Sequence, residues 1–131
     1  MFFLAPYSEL VFAALRIVAG VLFLFHGTQK LFGVPDGVQM MGYAKGNAAL
    51  TIAGVIELAG VILIALGLFA APVAFIASGQ MAVAYFKAHF PGGFLPIVNK
   101  GELAVLYCFF FLYLSVHGAG AFSLDAKRKK F

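Results

Sequence analysis

Apolar residues run in four long stretches along this chain, Leu10–Phe32, Ala48–Phe69, Pro72–Phe86 and Leu103–His117, with short polar or glycine- and proline-rich breaks between them. About 20 consecutive apolar residues cross a bilayer as a helix. A soluble helical domain would need a polar face on each helix, yet Glu57 is the only charged side chain between Ala48 and Ala84. The pattern therefore predicts an all-α fold, a four-helix antiparallel transmembrane bundle. One domain spans residues 1–131, with helices at about 10–32, 48–69, 72–86 and 101–118 and a basic tail over 125–131. Gly33-Val34-Pro35-Asp36-Gly37 stops the first helix, and the stretch up to Asn47 has room for a short amphipathic segment outside the hydrocarbon. Ala70-Ala71-Pro72 allows only a tight hairpin, which makes helices two and three antiparallel neighbours.

Composition agrees with the pattern. Hydrophobic residues make up 63% of the chain and charged ones 11%, outside the range of soluble globular domains. The first apolar run has no basic residue before it and contains Arg16, so it reads as a retained helix rather than a cleaved signal peptide. The single cysteine, Cys108, excludes an intramolecular disulfide and a CxxC pair. Four consecutive cations, Lys127-Arg128-Lys129-Lys130, lie just beyond the last helix. They place the C-terminus in the cytoplasm and, with an even number of spans, the N-terminus too. The same tail reads as a contact with anionic lipid, not as a nucleic-acid site.

Charges inside the apolar runs are where chemistry is expected, because an ionisable group at depth needs a partner or a task. At 100° per residue, Arg16, Gly20, Phe23, Gly27 and Lys30 share one stripe of helix one, a glycine-lined seam with a cation at each end. Gly54 and Glu57 fall on one side of helix two, with Gly60 nearby. Ser78, Tyr85 and His89 align on helix three, and Glu102, Phe109 and Tyr113 on helix four. Each helix thus offers one polar-capable face to turn inward. By depth, Glu57 lies near mid-membrane, while His26, Gln29, Lys30, His89, Asn99 and Glu102 gather toward the outer side. Arg16 lies in the inner half, and a pair with Glu57 requires its side chain to bridge about 10 Å of depth. Whether these two meet, and whether such a pair would do more than lock helix one to helix two, stays open at this point. Three isolated histidines without HxxxH or HExxH spacing give no metal site.

The residues Ala14-Leu15-Arg16-Ile17-Val18-Ala19-Gly20 leading to Phe25-His26-Gly27-Thr28-Gln29-Lys30-Leu31-Phe32-Gly33 resemble the first-helix signature of the DoxX family of small four-helix membrane proteins. Gly54-Val55-Ile56-Glu57-Leu58, Asn99-Lys100-Gly101-Glu102-Leu103 and Gly118-Ala119-Gly120-Ala121-Phe122-Ser123-Leu124-Asp125 resemble its later signatures in the same order. Two departures stand out: Ala59-Gly60 replaces a glycine pair, and no basic residue follows helix two. The resemblance implies a multi-pass protein of a bacterial or archaeal cytoplasmic (inner) membrane, linked to electron transfer at the quinone pool or to thiol-redox complexes. On that implication, a quinone headgroup is the expected ligand, with no covalent cofactor. Glu57 and Glu102 are then candidates for a catalytic proton relay, and Arg16, His26, Gln29, Lys30, His89 and Asn99 for ligand binding. A redox protein and a second copy of the chain join the lipid bilayer as candidate partners. The alternative is a non-enzymatic scaffold or lipid-binding subunit whose buried charges are structural.

Overall fold

The computed structural model describes residues 3–35 and 47–129. Most of the segment expected to be amphipathic after Gly33, together with Lys130 of the basic tail, lies outside the described residues. Every regular element among the described residues is helical. In chain order these are α1 (Ser8–Phe32), α2 (Ala48–Leu66), α3 (Ala70–Ala84), which runs on into a π-helical turn at Tyr85–His89, the single turn α4 (Pro96–Asn99), α5 (Glu102–His117) and the short α6 (Leu124–Arg128). Ala5–Phe32, which is α1 with its leading 3-10 turn, and α2 are each long and apolar enough to cross a membrane; α5 is apolar but shorter. The chain divides into two compact units, Met1–Ala70 with Ala119–Phe131, and Ala71–Gly118.

The first unit is a helical hairpin with the C-terminal segment folded onto it. All five residues of the predicted stripe, Arg16, Gly20, Phe23, Gly27 and Lys30, are buried, as are Gly54, Glu57 and Gly60 of α2. A Cβ on Gly20 would meet Ala65, one on Gly27 would meet Leu58, and one on Gly54 would meet Leu31. These contacts define one antiparallel register. At Gly27 the added carbon would stand 2.8 Å from the Leu58 backbone nitrogen, so only hydrogen fits there. Small residues let the backbones close, and the bulky apolar side chains Leu15, Ile17, Val18, Val21, Leu22 and Phe25 stay exposed on the far side of α1. Charges inside and large hydrophobes outside is the arrangement that lipid favours.

Local sequence sets the helix ends. The Asn47 side chain accepts a hydrogen bond from the Leu50 N–H (3.2 Å) and starts α2. α2 stops at Leu66 rather than at the expected Phe69. Gly67 takes a left-handed conformation (φ 66°), and the Leu68 N–H returns to the Leu63 carbonyl at 2.8 Å; such a C-terminal wrap satisfies carbonyls the helix leaves open.

In the second unit, Ser78 of α3 donates to the Cys108 carbonyl of α5 at 2.8 Å. The inward face of α5 is Ala104, Tyr107, Phe111 and Leu114. This corrects the face expected from polarity: Glu102, Phe109 and Tyr113 are exposed. Packing selected the row of one small residue, two rings and a leucine, Tyr107 stacking on Phe111 at 5.6 Å, over the row that carried the carboxylate.

Candidate functional site

The pairing of buried charges differs from the sequence-based geometry. Glu57, with no exposed surface, meets the Lys30 ammonium at 2.5 Å, and Lys30 is itself 4% exposed. The register explains the choice. With Gly27 against Leu58, Glu57 stands level with Thr28, two residues before Lys30 ends its stripe. Lys30 then reaches it with a flexible four-carbon stem. Arg16 lies twelve residues before Thr28, about 18 Å away at ~1.5 Å per residue, so an Arg16–Glu57 pair is out of reach. Glu57 thus shares a level with Lys30 instead of standing apart from it at mid-depth. Gly27 and Gly54 admit the contact: they let α1 and α2 approach where the ammonium and the carboxylate must touch. Such a pair is costly to break, because the survivor would be a lone charge in a low-dielectric surrounding.

Arg16, 1% exposed, is satisfied by backbone instead. Its guanidinium donates to the carbonyls of Ala119, Phe122 (2.7 Å) and Ala65 (3.4 Å). The planar fork suits several acceptors at once, and it fastens the C-terminal segment to the open end of the hairpin. Other links from that segment reinforce the same closure. Asp125 accepts from the Phe69 and Ala70 N–H groups, both at 2.9 Å, where α3 begins. The Asp125 N–H donates to the Gly67 carbonyl at 2.8 Å, and Glu9 accepts from the Ala121 N–H at 2.8 Å. Ser123 caps α6 by accepting from the Ala126 N–H.

His26 sits one helical turn before Lys30 and is half-buried, its ring 6.3 Å from that of Phe23. Gln29 donates to the Pro35 carbonyl at 3.2 Å, near the end of α1. In the second unit the structure brings His89 and Asn99 together. His89 Nδ1 lies 3.2 Å from the Asn99 carbonyl. The buried Asn99 amide donates to the Gly93 carbonyl (2.8 Å) and the Tyr85 hydroxyl (3.2 Å), and accepts from the Gly101 N–H (2.8 Å). Glu102 stands exposed in the first turn of α5. The eight predicted residues therefore fall into an ion pair with His26 beside it, a backbone-bound arginine, a loop-stabilising amide with its histidine, and two surface groups. Sequence reasoning assigned no role to Glu9 or Asp125. Asp125 ends the Gly118–Asp125 signature segment, but nothing in its neighbours pointed to Phe69 and Ala70.

A helical hairpin with bulky apolar groups outside, close glycine contacts within and its ion pair sealed from solvent defines an integral membrane protein. The chain belongs to the DoxX family of small integral membrane proteins: the DoxX model matches residues 11–90. It is similar to a protein of Haemophilus influenzae described as uncharacterized, with 46% identity over 127 residues covering 95% of each chain. No solved structure matches it.

Proposed function

We propose that this protein is the membrane subunit of a redox assembly at the quinone pool, and that the buried Lys30–Glu57 pair is its proton-holding element. The observation that carries the reading is the 2.5 Å contact between an ammonium and a carboxylate that are both shut off from water. An ammonium–carboxylate pair and an amine–carboxylic acid pair differ only in where one proton sits, so the pair holds a proton without a change in net charge. Reduction of a quinone to a quinol takes up two electrons and two protons. In this reading a redox partner supplies the two electrons, the pair gives up its shared proton and is reprotonated from water at the membrane surface to give the second, and His26, one helical turn before Lys30, donates a hydrogen bond to the quinone carbonyl. The DoxX family's link to electron transfer supports the same direction. The setting is a four-helix, multi-pass protein of the cytoplasmic membrane with both termini inside.

A specific observation favours a second reading, a non-enzymatic scaffold: the Arg16 guanidinium is spent on backbone carbonyls. Purification from native membrane, solvent extraction and mass spectrometry separate the two. Bound quinone in the parent, lost in His26→Ala while helicity and melting stay unchanged, supports the quinone site. Absence of quinone from the parent, even after incubation with a soluble ubiquinone analogue, assigns the pair to structure alone. Labelling of Lys129→Cys in a Cys108→Ser background tests orientation, and reaction with an impermeant reagent outside intact cells would reverse it.

A further inference from the structure

The connection between α3 and α5 is built the wrong way round for water. Its polar groups face one another, through Asn99 to Gly93, Tyr85 and Gly101 and through His89 to the Asn99 carbonyl. Backbone turns close several more: the Gly93 N–H bonds to Phe90, Val98 and Asn99 to Leu95, and Gly101 to Pro96. What the segment shows to its surroundings is apolar. Phe86, Phe90, Phe94, Leu95, Ile97 and Val98 are all exposed, Phe94 at 79% and Ile97 at 72%. Contiguous apolar surface of this kind marks a contact with lipid or a partner, and irregular backbone tolerates an apolar surrounding only when its own polar groups are satisfied internally.

We infer that residues 90–98 form a membrane-inserted loop that does not span, seated at the boundary between headgroups and acyl chains, with the lipid bilayer as its partner. Three features favour lipid over a protein surface. The exposed row continues onto the exposed apolar side chains Phe75, Ile76 and Val83 of α3 and Leu103, Leu106 and Phe109 of α5, so it extends a lipid-facing surface rather than forming an isolated patch. Exposed lysines, Lys87 and Lys100, flank the loop on both sides, where ammonium groups on long stems reach headgroups while the stems stay in apolar surroundings. α5 has 16 residues, about 24 Å of helix against a hydrocarbon thickness of about 30 Å, and an inserted loop next to its N-terminus fills that shortfall. A shallow, largely apolar depression of about 360 Å³, lined by Pro96, Glu102, Val105, Leu106 and Phe109, lies beside the loop.

The chain contains no tryptophan, so Phe94→Trp and Ile97→Trp each create a single fluorophore in the full-length protein. Each variant is reconstituted into phosphatidylcholine vesicles, with and without phosphatidylcholine brominated near the top of its acyl chains. Insertion predicts strong quenching by the brominated lipid and acrylamide quenching several-fold weaker than that of N-acetyltryptophanamide. Free quenching by acrylamide with none from the lipid would overturn the inference and place the loop in water. Shielding from both quenchers would also overturn it, in favour of a second copy or another protein over the loop. Unchanged far-ultraviolet circular dichroism qualifies each variant, and either position alone decides the question.

Discussion

The two units solve the problem of polar groups in an apolar setting by different means. In the hairpin of α1 and α2, full charges are buried and each finds a dedicated partner, Lys30 with Glu57 and Arg16 with three carbonyls. In the unit built from α3 and α5, the buried polar groups are neutral, Ser78 on a carbonyl and Asn99 on an amide, a carbonyl and a hydroxyl. A neutral hydrogen bond lost in lipid is modest, whereas a stranded charge is not. The first unit is therefore expected to be the intolerant one, where single substitutions act through an unpaired ion.

The largest effect is expected at the ion pair. Glu57→Leu leaves the Lys30 ammonium buried alone and should cost about 3–5 kcal/mol, whereas the double change Lys30→Met/Glu57→Leu should recover most of that loss, since well-packed apolar replacements of buried pairs are often neutral. Thermal unfolding in detergent, followed by circular dichroism, measures both. A double variant as unstable as the single would mean that packing rather than charge governs the site, and the contrast between the units would lose its basis.

Gly27→Ala is next. The new methyl carbon would stand 2.8 Å from the Leu58 nitrogen and 3.1 Å from the Glu57 Cβ. Neither atom is at the end of a flexible side chain, so the helices must separate. Overpacking of this kind costs about 1–3 kcal/mol. The displacement also draws Lys30 away from Glu57, so Gly27→Ala combined with Lys30→Met/Glu57→Leu should cost less than the glycine change alone in the parent, a coupling readable from a mutant cycle.

What could be read from the sequence follows the same division. The stripe of Arg16, Gly20, Phe23, Gly27 and Lys30 was legible because glycine and charge on one helical face leave few ways to pack. The partner of Glu57 was not. Pairing depends on the register of α2 against α1, which glycine contacts fix, and depth counted from helix ends cannot supply it. Arg16 was harder still, because its acceptors are main-chain carbonyls, one of them 103 residues away, that no side chain announces. On α5, polarity pointed to Glu102, Phe109 and Tyr113, but Ala104, Tyr107, Phe111 and Leu114 won through shape. The convergence of His89 and Asn99 was visible only as nearness in sequence; the amide network that joins them needed coordinates.

Within the second unit, Asn99→Ala removes donors and an acceptor from a buried loop and leaves the Gly93 carbonyl and the Gly101 N–H without their partner. Unsatisfied buried groups cost about 1–3 kcal/mol. The effect should be local, seen as faster amide exchange across 90–101 with little change at α1 and α2. Exchange that quickened equally in both units would show that they unfold together.

The smallest effect is expected at Ser78, and it tests the comparison most directly. Its hydroxyl links α3 to α5, 2.8 Å from the Cys108 carbonyl and 3.6 Å from the Cys108 sulfur. That carbonyl lies within α5, where the helical ladder already engages it, so removing the hydroxyl strands no acceptor. Ser78→Ala also keeps a small side chain at a buried position, so no overpacking arises. Interhelical side-chain hydrogen bonds in membrane proteins average about 0.6 kcal/mol, and the melting temperature should fall only slightly. A loss as large as that of Glu57→Leu would mean that α3 and α5 depend on this hydroxyl as heavily as α1 and α2 depend on a buried ion pair, and neutrality would then confer no tolerance on the second unit.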